Sequence, residues 1–181
     1  MKLILMEKSY ATWSGLSTID PSILSVLTET LAFSKVTRVQ AAVIPLFLGN
    51  KDVCVKASTG SGKTLTFVVP LIQTLLKVLA SGETTFDKHE VAALLIAPSR
   101  ELVQQITAVL KDFAPLLPSL SFVYLIGGDK IEYDLERIRE RGANVVVATP
   151  GRLFDLAIER HELSFRKLEM LIMDEADKLL L

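Results

Sequence analysis

The sequence predicts an α/β fold in which helices cover both faces of a mainly parallel, doubly wound sheet. Short, nearly continuous apolar runs alternate along the chain with longer segments whose apolar residues recur at helical spacing. Such runs are typical of parallel strands that are buried on both faces. A polar, glycine-containing loop follows the first run, at the edge where a doubly wound sheet places its ligands. With 181 residues, 50% of them hydrophobic, the chain is large enough for one compact domain.

Five strands and five helices are predicted in alternation. The first helix begins after Asp20, which is suited to cap it, with Pro21 at the first helical position. Pro70 predicts a kink in the second helix. The predicted strands are residues 53–56, 92–97, 122–126, 145–148 and 170–173, and the predicted helices are residues 21–31, 65–79, 99–113, 134–141 and 152–160.

Composition and charge restrict the classes of partner. The net charge of −1 means that any nucleic-acid contact must come from a local arrangement of side chains. The single cysteine, Cys54, lies in a predicted buried strand, which indicates packing and a reducing, intracellular setting. No apolar run reaches the roughly eighteen residues of a membrane span, so no membrane contact is expected. His89 and His161 have no neighbouring cysteine or second histidine, which favours solvated surface positions over metal binding.

The loop after the first predicted strand has the pattern of a phosphate-binding loop. Its glycines let backbone N–H groups close around phosphate oxygens, and the following helix adds its positive N-terminal end. Lys63 would reach the β and γ phosphates, and Thr64 would hold Mg²⁺. Ala57 replaces the first glycine of the usual pattern; the alternative, an ordinary turn, has no need of Lys-Thr after two spaced glycines. The predicted nucleotide contacts are Ser58, Thr59, Gly60, Ser61, Gly62, Lys63 and Thr64.

Two acids follow the last predicted strand. Asp174 can hold Mg²⁺, through water, and Glu175 can polarise the water that attacks the γ-phosphorus. The alternative is that these acids only complement the dipole of a helix that starts there. Together with the phosphate loop they predict an ATP-hydrolysing site, with Lys63, Asp174 and Glu175 in catalysis and with Thr64 and Asp174 at the metal.

Six phrases, in this order along the chain, resemble the DEAD-box RNA helicases and specifically their first RecA-like domain. They are residues 33–40 (Q motif), 57–64 (phosphate loop), 98–105 (motif Ia), 127–128 (glycine doublet), 149–152 (motif Ib) and 174–177 (Asp-Glu-Ala-Asp). The resemblance covers nearly the whole chain. It implies a RecA-like P-loop ATP-binding domain over residues 32–181, preceded by an extension with a lead-in helix over residues 1–31.

By this resemblance, the Q-motif phrase selects adenine. Gln40 would hydrogen-bond the adenine edge in two directions, Phe33 would lie against the base, and Thr37 would tie the segment to the phosphate loop. A side-chain amide offers one donor and one acceptor side by side, which matches adenine and mismatches guanine, so ATP is expected over GTP. Trp13, upstream, resembles an aromatic residue that covers the adenine pocket in the family, and simple packing is an equal alternative.

The resemblance also implies contacts with the sugar-phosphate backbone of RNA. Such contacts carry no sequence information. Residues 149–152 would equally suit an ordinary strand-to-helix turn, and both interpretations can hold together. The implied RNA-binding residues are Arg100, Gly128, Thr149, Gly151 and Arg152.

Several positions depart from the family pattern without removing a functional atom. Ala32 stands where glycine is frequent, Val36 and Arg38 where prolines are common, Ser99 for threonine and Val103 for alanine. Residues 39–45 and 141–144 look most like the branch of the family that serves large-subunit ribosome assembly. That likeness implies pre-ribosomal particles as partners and a nuclear or nucleolar location, with a monomer expected.

The family pattern continues beyond Leu181 with a further strand and a second RecA-like domain, which are expected to be absent here. That domain supplies arginine fingers, worth about 10³ to 10⁵ in rate in related enzymes. Strands 53–56 and 170–173 are then expected either to pair directly or to expose apolar faces. Three interpretations follow: the ATP-binding part of an RNA helicase, a truncated product that only binds nucleotide or RNA, or a P-loop ATPase outside the helicases. Gln40 and residues 149–152 argue against the third.

Overall fold

A computed structural model describes residues 12–16 and 19–180. The chain divides into two compact units, Met1–Leu76 and Lys77–Leu181. The division into an extension over residues 1–31 and a domain over residues 32–181 stays a prediction.

The first unit is helical, and two of its helices start at side-chain caps. Helix α1 (Pro21–Ser25) begins as predicted, because the Asp20 carboxylate accepts the Ser22 N–H at 2.9 Å, and it continues as a π-helical turn over Val26–Thr30. The Gln73 side chain accepts the Asp20 N–H at 2.6 Å, which ties this helix start to α3 (Lys63–Ser81). Helix α3 runs unbroken through Pro70.

Helix α2 (Arg38–Leu48) is not among the helices predicted from the sequence. It starts at a capping box, in which Thr37 accepts the Gln40 N–H and Gln40 accepts the Thr37 N–H. The spacing of threonine and glutamine three residues apart is a sequence signal for such a start. This signal is present in the Q-motif phrase, from which an adenine contact by Gln40 and a tie to the phosphate loop by Thr37 are predicted, but no helix start.

The prediction of a strand over residues 53–56 is wrong. In the part of the chain that the structure describes, the sheet has four strands, and these residues are not among them. Val53 and Val55 are half-buried while Cys54 and Lys56 are exposed, so one face of the segment is covered rather than two. The expected burial of Cys54 fails for the same reason. A short β-prone run becomes a strand only when partner strands pair with it, because strand preference depends on context.

The second unit contains a parallel sheet of β1 (Ala93–Ile96), β2 (Phe122–Leu125), β3 (Val145–Ala148) and β4 (Met170–Met173), in the order β2-β3-β1-β4. Ile96 aligns with Ala148 and with Met173, and Ala148 aligns with Leu125. The carboxyl ends of all four strands therefore lie at one edge. The predicted α/β class is confirmed.

The helices of this unit are α4 (Arg100–Phe113), α5 (Ile131–Arg141), α6 (Pro150–Phe154) and α7 (Ala176–Leu179). The predicted helix over residues 152–160 is instead α6 followed by a π-helical turn, Asp155–Glu159. One core cluster joins alternate strand residues to α5 and to the π-helical turn; its members include Leu94, Val123, Val146, Leu135, Ile138 and Leu156. Helix α4 packs on β2 and β3 and buries Val103, Ile106, Leu110 and Phe113.

Strand β4 lies at the end of the described sheet and pairs with β1. Residues 53–56 are not part of the described sheet. Within β4, Leu171 and Met173 are 51% and 49% exposed, whereas Ile172 is buried. Both arrangements expected for the two segments stay predictions.

Helix α3 is long and apolar enough to cross a membrane by length and composition alone, which corrects the expectation that no stretch passes this test. In the structure 56% of that stretch is buried, and the core helix of a soluble protein passes the same test.

Candidate functional site

The glycine-containing loop of the first unit closes on itself. Gly60 and Gly62 have φ of +77° and +87°, a region that glycine occupies without strain. The Lys63 ammonium donates to the Ala57 carbonyl at 2.7 Å, across the mouth of the loop, and the Ser61 hydroxyl donates to the Ser58 carbonyl at 2.7 Å. Lys63, the first residue of α3, is the cation predicted to bind phosphate. In the structure its ammonium is already bound to a backbone oxygen of the loop.

Gln40 links the Q-motif phrase to this loop. Its amide nitrogen donates to the Gly62 carbonyl at 3.1 Å, while its amide oxygen accepts the Thr37 N–H at 2.8 Å. A Cβ at Gly62 would lie 2.6 Å from the Gln40 amide nitrogen and 3.2 Å from Thr37, so a side chain here would displace Gln40. Thr37 is predicted to connect this segment to the phosphate loop. In the structure Gln40 makes the hydrogen bond to the loop, and Thr37 lies close to Gly62.

The two aromatic residues predicted near adenine differ in exposure. Phe33 is 47% exposed. Trp13 is 1% exposed, and its indole N–H is buried without a hydrogen-bond partner. Full burial agrees with the packing alternative for Trp13.

Asp174 and Glu175 belong to the second unit and follow β4 directly. The Asp174 N–H donates to the Ile96 carbonyl at 2.9 Å, which extends the pairing with β1 by one residue, and the Asp174 carboxylate accepts the Glu175 N–H at 2.9 Å. Glu175 has φ of +49°, an uncommon conformation for a residue with a side chain. Its carboxylate pairs with Lys178 at 2.8 Å, and this hydrogen bond raises the pKa of Lys178. Among the described residues no cluster of three or more His, Cys, Asp or Glu could hold a metal alone.

Four of the five predicted RNA residues, all except Gly128, line one cavity of the second unit, with a volume of about 490 Å³. It lies at the carboxyl edge of β1, β2 and β3, the position where open α/β sheets bind ligands. Each strand contributes the residues that follow it. The lining residues are Pro98, Ser99, Arg100, Glu101, Gly127, Thr149, Gly151, Arg152 and Asp155.

Arg100 lies over the glycine doublet. It is exposed at the first position of α4, which Ser99 caps by accepting the Leu102 N–H at 3.2 Å. Gly128 has φ of +118°, and a Cβ built on it would overlap the Arg100 guanidinium. Glycine at this position therefore makes room for the arginine, and the guanidinium stays open to solvent at the cavity.

Arg152, by contrast, is 7% exposed and already bound inside the protein. One guanidinium nitrogen pairs with the Asp134 carboxylate, and the other donates to the Asp129 carbonyl at 2.6 Å. Burial raises the pKa of Asp134, and the guanidinium groups of Arg137 and Arg152 oppose that rise. Asp134 has no counterpart among the site residues predicted from the sequence. It lies in the first turn of α5, where acidic residues are common because they complement the helix dipole. The sequence therefore gives no signal that Asp134 has another role.

The comparison with protein families decides the assignment. The family model for DEAD/DEAH box helicases matches residues 37–181, most of the chain. The chain belongs to the DEAD/DEAH box helicase family.

Relatives of the whole chain agree with this family. It is 45% identical over 175 residues to the ATP-dependent RNA helicase DDX55 of Bos taurus, a match that covers 93% of this chain and 28% of that protein. It is 42% identical over 177 residues to the DEAD-box ATP-dependent RNA helicase 18 of Oryza sativa subsp. japonica, covering 96% and 27%. The crystal structure of the yeast DEAD-box splicing factor Prp28 superposes with a TM-score of 0.80 at 30% identity, covering 97% of this chain and 40% of that chain.

The DEAD-box match also confirms the RecA-like α/β fold predicted from the six phrases. The chain spans about 28% of the length of the DDX55 relative. The structure brings Thr37, Gln40 and Gly62 together in the first unit, and Arg100, Thr149, Gly151 and Arg152 together around the cavity in the second.

Proposed function

We propose that this chain is the ATP-binding part of an ATP-dependent RNA helicase, which couples ATP hydrolysis to the separation of RNA strands. The observation that carries the proposal is the cavity at the carboxyl edge of β1, β2 and β3, with the open guanidinium of Arg100 beside Thr149 and Gly151. A P-loop ATPase outside the helicases has no need of such a site next to its sheet. The names of the relatives, which are ATP-dependent RNA helicases, support it.

ATP would bind at residues 57–64. The positive-φ glycines and the closely approached Gly62 form a cradle that fits phosphate oxygens, with Lys63 at the helix start to supply charge. For Lys63 to reach the β and γ phosphates, its bond to the Ala57 carbonyl must break. The phosphate oxygens replace that carbonyl as acceptors. Both bonds have the charged ammonium as donor, and the bond to phosphate is the stronger because its acceptor is charged as well.

Gln40 is suited to read adenine while it holds the loop. An amide group has two N–H donors and two acceptor lone pairs. The bonds to the Gly62 carbonyl and from the Thr37 N–H use one of each, which leaves one donor and one acceptor for the base. Phe33 would then cover the face of the base with its exposed ring.

Hydrolysis would use the acids after β4. Mg²⁺, when bound with ATP, neutralises charge that develops on the phosphates. Asp174 and Thr64 would hold it, with water completing the shell. Glu175 would orient and polarise the attacking water, for which its carboxylate must leave Lys178.

RNA would bind through its backbone at the cavity. Glu101 and Asp155 also line this cavity, so its overall field attracts phosphate only weakly, as the net charge of −1 suggests for the whole chain. Binding then depends on directed contacts from Arg100 and from main-chain N–H groups, which do not distinguish sequences.

The cellular setting is proposed on the likeness of residues 39–45 and 141–144 to the ribosome-assembly branch. On this basis the chain acts as a monomer on pre-ribosomal particles in the nucleolus. Imaging of the tagged chain tests the location, and exclusion from nucleoli would contradict it.

The experiment measures binding of a fluorescent ATP analogue and of a labelled single-stranded RNA. Arg100→Gln should weaken RNA binding and leave ATP binding unchanged. The matched control is Arg141→Gln, an exposed arginine at the opposite end of the sheet, which should change neither. Equal RNA affinity for Arg100→Gln and the parent would contradict the proposed RNA site. A duplex-separation assay then decides between a helicase and a module that binds both ligands without separating strands.

A further inference from the structure

We infer that Asp134 is a positioning residue of the RNA site, and that its buried pair with Arg152 holds the glycine-doublet turn and the start of α6 in RNA-binding geometry. Arg152 accordingly contributes to RNA binding by holding these segments in place, and not by binding phosphate with its own charge. The inference rests on the proposed RNA function and assigns separate roles to the two arginines of the cavity.

The Arg152 guanidinium joins three segments of the second unit. It belongs to α6, it pairs with Asp134 of α5, and it donates to the Asp129 carbonyl in the turn after β2. The side chains of both members of the pair are 6% exposed. The turn that Arg152 holds includes Gly127 and Gly128, on which Arg100 lies.

Asp134 is fixed in turn by a second arginine. Its other carboxylate oxygen accepts from Arg137 at 3.1 Å, and Arg137 also donates to the Tyr124 carbonyl at 3.4 Å and lies 5.1 Å from the centre of the Tyr124 ring. The carboxylate therefore connects α6 to β2 through two guanidinium groups. Both of its oxygens are in use, and it is buried away from the cavity solvent.

The pair is electrically neutral, so it adds little to the attraction of RNA. Buried ion pairs contribute little stability compared with apolar packing, because both charges must leave water. Their best-supported use is to specify one arrangement of the segments that they join. Here those segments carry Gly127, Thr149 and Gly151, which line the cavity.

A direct phosphate contact by Arg152 is the competing role, and Arg152→Lys separates the two. Lysine keeps the charge but lacks the planar fork that reaches Asp134 and the Asp129 carbonyl together. Positioning predicts a loss of RNA affinity of about tenfold, the size typical when a group that orients a binding residue is lost. A point-charge contact predicts affinity close to that of the parent.

The test is fluorescence anisotropy of a labelled ten-nucleotide oligouridine, titrated with the full 181-residue chain over a series of KCl concentrations. The variants are Arg152→Lys, Asp134→Asn, the double variant Asp134→Asn with Arg152→Gln, and Arg100→Gln. The double variant keeps the net charge, so its salt dependence reports phosphate contacts alone. Each lost contact to single-stranded nucleic acid lowers the slope of log K against log salt by about 0.7.

We expect Arg100→Gln to lower the slope by about 0.7 and the double variant to keep the parental slope with weaker binding. A lowered slope for the double variant, or parental affinity for Asp134→Asn, would overturn the inference. Parental slope and affinity for Arg100→Gln would instead overturn the proposed RNA site itself.

Folding is followed by thermal melting and by binding of the fluorescent ATP analogue at residues 57–64. Parental ATP affinity with weaker RNA binding supports positioning. If Asp134→Asn does not fold, Arg152→Lys decides the question. If neither variant folds, the ion pair is needed for the stability of the domain rather than for positioning, and the inference is overturned.

Discussion

At the scale of single residues, Gly151 differs from Gly62 and Gly128. Those two glycines have positive φ, which favours glycine, and side chains that approach them closely. A Cβ at Gly151 would meet nothing within 4 Å. The missing side chain at this position serves no packing purpose, and it leaves the cavity open to close approach of a ligand backbone.

Gly151→Ala is therefore expected to separate stability from binding. The melting temperature should stay equal or rise, because alanine is favoured over glycine in a helix by about 0.5–1 kcal/mol. RNA affinity should fall several-fold, since the added methyl group enters the cavity. Melting curves and anisotropy titrations check this, and unchanged RNA affinity would show that RNA does not approach here.

Lys63 is the cation expected to contact the β and γ phosphates. Lys63→Ala should weaken ATP binding by about tenfold to a hundredfold, because a hydrogen bond to a charged group contributes about 1.5–3 kcal/mol. Lys77→Ala, an exposed lysine further along α3, is the matched control and should bind ATP like the parent. If Lys63→Ala binds a fluorescent ATP analogue as tightly as Lys77→Ala does, the proposed contact between Lys63 and the phosphates is contradicted.

Gln40 is expected to set the preference for ATP over GTP. Gln40→Ala removes the donor and acceptor that match adenine, and it also removes the bond to the Gly62 carbonyl. The ratio of ATP to GTP affinity should approach one, and both affinities should fall because the loop loses a support. Competition titrations with the two nucleotides check this. A preserved ratio would mean that another group reads the base.

At the scale of elements, the loop between the first π-helical turn and α2 carries a strained residue. Ala32 has φ of +55°, in the left-handed region, at a position where glycine is frequent in the family that the sequence resembles. Left-handed backbone costs an L-residue roughly 1–2 kcal/mol. The departure noted in the sequence therefore affects the backbone rather than packing.

Ala32→Gly should accordingly raise the free energy of unfolding by up to about 1 kcal/mol, after the larger entropy loss of glycine on folding is subtracted. The same change at Ala42, inside α2, should lower it by about 0.5–1 kcal/mol. Urea unfolding of the two variants measures both effects. Destabilisation by Ala32→Gly as large as that by Ala42→Gly would contradict the strain.

Some elements can be predicted from their own sequence pattern, without information about which segments pair with them. Strands 145–148 and 170–173 match the observed bounds, since uninterrupted apolar runs favour strands. Only the first of them is fully buried, because Leu171 and Met173 in the second are half-exposed. The run at residues 53–56 is also mostly apolar, but whether it becomes a strand depends on neighbours that sequence alone does not place. Helix α2 was missed because Thr37 and Gln40 were interpreted for their chemistry and not as a capping box.

At the scale of the whole molecule, short phrases predict the residues proposed for both sites, but they do not predict which hydrogen bonds and ion pairs those side chains make. Arg100 and Arg152 look alike in sequence, yet one is exposed and the other is buried against Asp134. The difference arises because Asp134 of α5, which precedes Arg152 by 18 residues in the chain, contacts Arg152 in the fold. No local sequence pattern predicts such a tertiary contact. Short phrases therefore suggest which ligands to test, whereas only the tertiary structure distinguishes the exposed Arg100 from the buried Arg152.

The central claim is that ATP and RNA bind at two separate places, the loop at residues 57–64 and the cavity around Arg100. The most direct measurement is a map of backbone amide shifts in the ¹⁵N-labelled chain by NMR. Mg²⁺-ATP should shift residues 33–40, 57–64 and 174–175, and single-stranded RNA should shift residues 99–101, 127–128 and 149–152. RNA shifts that avoid the cavity, or ATP shifts that avoid residues 57–64, would contradict the claim.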